Sequence, residues 1–438
     1  KTDEICNALG GVLCRCTGYR KIIKAILHID DVDKANIVEP EANLAVGART
    51  VKVDGHEIVS GKMQYGADQS PGNALWLRVI RSPHWNAEFT LGNFEPLKQK
   101  HPGIVDILTS DDVPGLNGFG IYPDIKDQPV LAKAKVRYRG EAILALVGDN
   151  KTVNGIRDEE LPVKWKTTQP LQGFEASLKL GAPKLHDDKP GNILADGYTS
   201  KGNAEHGFQN SDAVFEDNFE TGFVEHAYIE PEAGWAKRIG DRLVVTVSTQ
   251  TPYMDRDEIA SIIDIPCQNV RVIPTACGGG FGGKLDISVQ PLLAIAAWKL
   301  KKPVRCTYNR IESMASSTKR HPSKITGRYG CSQEGKLQAY EFSGIFNTGA
   351  YVSWGLTVKD RVPIHATGPY FVPNITAKSR AIFTNETPAG AFRGFGVPQA
   401  AIAHEALIDM LAEKINMDPL EFRYLNVIRK GQETATGQ

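Results

Sequence analysis

Cys14 and Cys16 stand one residue apart in GVLCRCTGYRKIIKAI, residues 11–26. A 2Fe–2S cluster needs four thiolates, generally supplied as closely spaced pairs, and this pair can supply half of them. Spacing alone leaves two buried thiols equally open. Zinc would need a second Cys/His pair at zinc-site spacing, which the chain does not offer. Cys6, upstream of the pair, reads as a small core residue.

A second candidate lies in VRVIPTACGGGFGGKLDISVQPLLAIAAW, which reads as strand, glycine loop and helix, with glycines at 278, 279, 280, 282 and 283. Such a loop is expected to aim backbone N–H groups from a helix N-terminus at an anion. Gly278, Gly283 and Lys284 have the spacing of a nucleotide-triphosphate loop, but Leu285 stands where a magnesium-binding hydroxyl belongs. Gly278, Gly280 and Gly283 match the dinucleotide fingerprint, yet about twenty residues on comes WKLKKPV, with no acid for a ribose. A turn required only for packing remains open. Five glycines around Phe281 point instead to a bulky ligand lying against bare backbone. In PAGAFRGFGVPQAAIAHEAL, residues 388–407, Arg393 and Phe395 flank Gly394 ahead of a helix. Alone, an arginine is usually solvated and a phenylalanine usually core. In a glycine loop opening a helix, both are expected to face a ligand.

These residues need a scaffold, and hydrophobic periodicity supplies one. Residues 1 to about 30 read as helical, and a polar linker runs to about 50. From 51 to 165, ALWLRVIRS, GIVDILTSDDVPG, KVRYRGEAILALVGD and EELPVKWKT read as strands of a mixed domain. The passage from 166 to 210, rich in Gly, Pro, Asn and Asp, reads as loops wrapping a surface. Beyond it strands and helices alternate again: RLVVTVSTQTP and NVRVIPTA are strand-like, while AAIAHEALIDMLAEKI is an amphipathic helix. Asp418 and Pro419 read as N-cap and first residue of a further helix.

With 438 residues, 41% hydrophobic and 23% charged, the chain can build two to four domains around substantial cores. Its 51 basic residues balance 51 acidic ones, so neither nucleic acid nor an acidic membrane surface is implied as partner. No run of about 18 apolar residues exists, and KTDEICNALG lacks a signal-peptide pattern. Seven scattered cysteines argue against a disulfide framework, and a cytoplasmic protein is expected.

Taken in order, LCRCTGY, SPH, STQ, GGGFGGK and AFRGFGVPQ resemble the molybdenum hydroxylases of the xanthine oxidase and aldehyde oxidoreductase family, over essentially the whole chain; within it, the nicotinate-oxidising large molybdopterin subunits are the most similar. The resemblance implies an α+β fold: the end of a helical 2Fe–2S domain with its linker (1–50), an α/β hammerhead domain (51–165), and the first half of a molybdopterin-binding region (166–438). It also implies hydroxylation of an electron-poor carbon with oxygen from water, the electrons leaving through iron–sulfur clusters. Gln250, in STQ, matches a glutamine that hydrogen-bonds a molybdenum oxygen ligand. Gly279, Gly280, Phe281 and Gly282 match the loop that approaches metal and pterin, and Arg393 the arginine beside the cofactor. Phe395 matches an aromatic packed on a flat substrate, and Arg361 an arginine that stabilises substrate charge. Cys14 and Cys16 match two of four cluster ligands.

Two departures matter. Leu285 replaces the glutamate of purine-oxidising relatives, which favours nicotinate-like or other N-heterocycles over xanthine. No GxGE-type segment bearing the catalytic glutamate is present, and Glu230 and Glu232, in YIEPEA, match a structural stretch. The resemblance therefore implies partners: a second molybdopterin-binding subunit carrying the glutamate, a 2Fe–2S subunit or fragment with the other cysteines, and an FAD subunit. The cofactor would be molybdopterin, in the cytosine dinucleotide form, with molybdenum. Aldehyde oxidation and a non-catalytic binding subunit are the rival readings.

Overall fold

Runs of β-branched and aliphatic residues in this chain pair into three sheets, and their burial explains their composition. The structure is a computed structural model and describes residues 1–11, 18–30, 41, 43–44, 46–48, 50 and 52–438. Among them the strands are β1 (Leu75–Arg81), β2 (Ala87–Leu91), β3 (Ile104–Leu108), β4 (Lys135–Val136), β5 (Ala142–Gly148), β6 (Val163–Thr167), β7 (Ile193–Lys201) and β8 (Ala213–Thr221). They continue with β9 (Ala233–Ile239), β10 (Arg242–Val247), β11 (Val270–Pro274), β12 (Val304–Thr307), β13 (Ser323–Cys331), β14 (Leu337–Gly349) and β15 (Asn374–Phe383).

The first sheet runs β11-β10-β9-β12-β1-β5-β3. β5, AILALVG, is buried from its second residue onward, so it carries an unbroken apolar run in place of alternation. The helix Gln290–Leu300 is buried from Gln290 to Ala297, and it joins the core around Val245, Val247 and Val304. A helix covered on every side needs no polar face. β1 pairs in parallel with β12, Leu75 opposite Val304, and antiparallel with β5. Strands from residues 75–148 and from 233–307 therefore share one sheet.

The second sheet runs β7-β15-β14-β13-β8, and the third β4-β2-β6. The helix Val397–Lys414 packs on the second through Ala403, Leu407 and Leu411, in one cluster with Tyr340 and Phe342. Its approach is close: a Cβ on Gly327 of β13 would lie 2.7 Å from Leu407 Cδ1.

The passage 166–210 departs from its expected loop character. It holds the helices Gly173–Leu178 and Ala204–Gln209 and the nine-residue strand β7. β7 is an edge strand whose one neighbour, β15, supplies its ladder, so little apolar patterning was required of it. At the N-terminus the helices Thr2–Leu9 and Arg20–Leu27 agree with expectation, whereas Cys14 and Cys16 lie outside the described residues. Asp418 caps Pro419–Asn426 as expected, accepting from Leu420 N at 2.8 Å and Glu421 N at 3.1 Å.

Candidate functional site

Gln250 lies just past the end of β10, which delivers its side chain to the glycine loop. Its Oε1 accepts from Gly282 N at 3.0 Å and Lys284 N at 3.4 Å, and its own N–H donates to Lys284 O at 3.1 Å. A Cβ at Gly280 would stand 2.3 Å from that Oε1, so backbone alone fits there. The Gln250 side chain is exposed, and its nitrogen has no hydrogen-bond partner among the described residues.

The loop does not open a helix. Residues 281–286 turn, and the helix begins only at Gln290. Two of the loop's N–H groups are consumed by Gln250, so the expected anion nest at a helix N-terminus is not formed. Lys284 is likewise turned inward. It is buried and bound to Glu230 Oε2 at 2.8 Å and Ser248 Oγ at 2.9 Å, where it cannot reach a phosphate.

Glu230 organises this inner side. Its Oε2 also accepts from Ser248 Oγ and Gly278 N, both at 2.7 Å, while Oε1 accepts from Gly66 N at 2.9 Å. Burial works to raise its pKa, but the Lys284 charge and these donors outweigh it and hold the carboxyl below its ordinary value. Glu232 is buried and accepts from Tyr228 OH. Both carboxylates are structural, as YIEPEA suggested.

The second loop docks back to back with the first. A Cβ at Gly282 would lie 2.6 Å from Ala391 O, and Arg393 N donates to Phe281 O at 2.9 Å. Phe281 and Phe395 both adopt positive φ, 53° and 47°, a conformation costing a non-glycine residue about 1–3 kcal/mol. Phe395 meets Trp354 edge-on, ring centroids 5.2 Å apart, and the Arg361 guanidinium lies 5.4 Å from its ring centre. Arg361 comes from the helix Gly355–Ile364. The Arg393 side chain is exposed and forms no ion pair among the described residues. Leu285 is half-buried, its carbonyl accepting from Thr251 Oγ1 at 3.1 Å. Next to it, Asp286 accepts from Ser353 Oγ at 2.8 Å, beside Trp354, and burial pushes its carboxyl up to about 6.

Four separate segments thus bring Gln250, Gly280, Phe281, Gly282, Arg393, Phe395 and Arg361 into one contact network. The arrangement suits a large ligand that needs close backbone approach, one outward amide and an unpaired cation. Among the described residues no group of three His, Cys, Asp or Glu side chains could hold a metal by itself.

Residues 185–427 match the family model of a molybdopterin cofactor-binding domain, and residues 60–167 that of the aldehyde oxidase and xanthine dehydrogenase a/b hammerhead domain. The chain belongs to the aldehyde oxidase and xanthine dehydrogenase family. It is 36% identical over 394 residues to the nicotinate dehydrogenase large molybdopterin subunit of Eubacterium barkeri, covering 90% of this chain and 92% of that one. Its identity to a probable xanthine dehydrogenase subunit of Bacillus subtilis (strain 168) is 39% over 379 residues, 86% of this chain and 50% of that one. The aldehyde oxidoreductase structure from Desulfovibrio gigas superposes with a TM-score of 0.93 at 26% identity, over 100% of this chain and 50% of that one. The chain spans nearly all of the first relative and about half of the other two.

In this member of the aldehyde oxidase and xanthine dehydrogenase family, several side chains that build the site carried little sequence signal. Lys284 imitated a nucleotide-loop lysine. Trp354 and His226 sit far along the chain from the loops they touch, and an isolated aromatic or imidazole reads as core. The faint trace was the polar density of VEHAYIEPEA ahead of a strand.

Proposed function

We propose that this chain is the molybdopterin-binding subunit of a molybdenum hydroxylase acting on an aromatic N-heterocycle, nicotinate-like or purine-like. The observation that carries the reading is the pair of interlocked glycine loops, in which Phe395 contacts both Trp354 and Arg361. When bound, the molybdenum cofactor supplies two-electron oxidation that places oxygen from water on an electron-poor ring carbon.

This chain's residues do the rest of their share by position. Gly279, Gly280, Phe281 and Gly282 offer bare backbone to the cofactor, Gln250 donates through its amide nitrogen, and Arg393 supplies a cation. Phe395 packs on the flat ring of the substrate, worth about 0.5–1.5 kcal/mol beyond burial. Arg361 holds a substrate carboxylate or charge developing on the ring. Leu285 presents an apolar edge where a hydrogen-bonding ring would need a partner. An aldehyde substrate is the second reading, favoured by the likeness to the Desulfovibrio gigas enzyme.

The proton acceptor comes from elsewhere, because Glu230 and Glu232 are internally engaged. We assign it to a glutamate on a second molybdopterin-binding subunit. Cys14 and Cys16 serve as two ligands of a 2Fe–2S cluster shared with another chain, with FAD on a separate subunit and the cofactor in its cytosine dinucleotide form. Residues 1–50, 51–165 and 166–438 are then the iron–sulfur end with linker, the hammerhead and the first part of the cofactor-binding region. No described helix is long and apolar enough to cross a membrane. Free Cys6, Cys267, Cys277, Cys306 and Cys331 support a reducing, cytoplasmic setting.

Metal analysis of the complex purified through this chain tests the reading. Roughly one molybdenum per chain with several iron atoms is expected. Absence of molybdenum would overturn it, and comparing turnover on nicotinate, hypoxanthine and benzaldehyde separates the substrate classes.

A further inference from the structure

The two ligand-facing loops meet over one buried imidazole. His226, in the segment between β8 and β9, is fully buried. Its Nε2 lies 2.7 Å from Ala391 O, and since a carbonyl only accepts, Nε2 carries the proton. The ring stacks on Phe392 with centroids 4.2 Å apart and planes 19° from parallel, and the Arg320 guanidinium lies 4.0 Å from the same Phe392 ring centre. On the glycine-loop side, a Cβ at Gly283 would stand 2.9 Å from His226 Nδ1 and 2.8 Å from a Tyr228 ring carbon. One side chain therefore touches the first loop at Gly283 and the second at Ala391 and Phe392. Ala391 and Phe392 are also the residues against which Gly282 packs.

We infer that His226 is a positioning residue: by donating from Nε2 to Ala391 O it sets the register between the loops, and so the placement of Arg393 and Phe395 toward the ligand. Burial pushes its pKa down to about 4, which agrees with a neutral ring holding a single proton. The inference deepens the proposed function and rests on it for what the register serves. Filling space between the loops would be a different role, met by any flat side chain. The hydrogen bond is specific: without its donor, the buried Ala391 carbonyl loses a partner, which is costly where water cannot replace it.

Two variants separate these roles. His226→Phe keeps a ring to stack on Phe392 and removes the donor; His226→Gln carries an amide nitrogen the same number of bonds from Cα as Nε2 and removes the ring. Hydrogen–deuterium exchange on the full chain without cofactor reads the register, because Arg393 N–H is bound to Phe281 O and Gly282 N–H to Gln250 Oε1. The Phe variant should raise exchange at these amides roughly tenfold, while the Gln variant stays within about threefold of the parent. In the complex, molybdenum content should fall with the Phe variant and recover with Gln. The inference is overturned if the Phe variant exchanges like the parent, if Gln loosens the loops as much as Phe, or if Phe loses protection across both large sheets. Since exchange is read without cofactor, a complex lacking molybdenum would sink the proposed function and leave this comparison standing.

Discussion

Replacing Glu230 by glutamine removes one charge from a side chain of nearly unchanged shape. In the parent, one oxygen accepts from Ser248, Gly278 and Lys284 and the other from Gly66. Glutamine can keep its oxygen on the first three only by turning its NH2 toward the Gly66 N–H. The heavier effect falls on Lys284, whose side chain is 2% exposed against 10% for Glu230. A buried ammonium without its counter-charge costs about 3–5 kcal/mol, a large part of a total stability of about 5–15 kcal/mol. Differential scanning calorimetry should show a fall in Tm of roughly 5 °C, and Glu230→Gln/Lys284→Met should recover at least half of it. The pH dependence carries its own sign. Because the Glu230 pKa is lowered in the fold, its contribution is present above the ordinary carboxylate range and is lost as pH falls through the lowered value. The gap between parent and variant should then close in acid. A drop of less than about 2 °C at pH 7, or a double variant no better than the single one, would refute the view that this ion pair supports the glycine loop.

Other perturbations reach the site from different sides. Gly280→Ala drives a methyl into Gln250 Oε1, so exchange at Gly282 N–H should rise and molybdenum content fall; unchanged exchange would show that Gln250 has room to move. Asp286→Asn removes a carboxyl that burial pushes up to about 6. An acid raised in the fold weakens it as pH climbs from the unfolded value through the folded one, so the Asn variant should melt higher than the parent at pH 8. That advantage should shrink as pH falls through about 6 and vanish below about 4. Phe395→Leu should raise KM for nicotinate about two- to tenfold with a smaller effect on kcat, as expected for lost ring stacking. Arg361→Gln should lower kcat more than it raises KM if the guanidinium meets charge that develops during reaction; a pure KM effect would point to carboxylate binding.

Gln250, the glycine loop, Arg393 and Phe395 were legible because each sits in a short motif whose residue types are unusual together. The strands β5 and β10 were legible because burial on both faces demands long apolar runs. β7 was not, since an edge strand is held by backbone bonds that leave no mark on composition. Nor could periodicity locate the helix start at Gln290: the turn across 281–286 depends on Gln250 capturing two amides from another strand's end.

The chain's order of residues determined which groups are available: thiols one residue apart, glycines where side chains would collide, two aromatic residues in glycine loops, and a leucine in place of an acid. It could not determine which charges stay free. Lys284, Glu230 and Glu232 look like reactive groups on paper, and only the fold buries them against one another and against Tyr228 and Ser248. Arg393, by contrast, is exposed and has no ion-pair partner among the described residues. The reason is physical: hydrogen bonds and ion pairs are satisfied in space, across 32 residues between Gln250 and Gly282 and 165 between His226 and Ala391. No local pattern records such partners, so which charges are buried in pairs and which stay exposed was decided by tertiary structure.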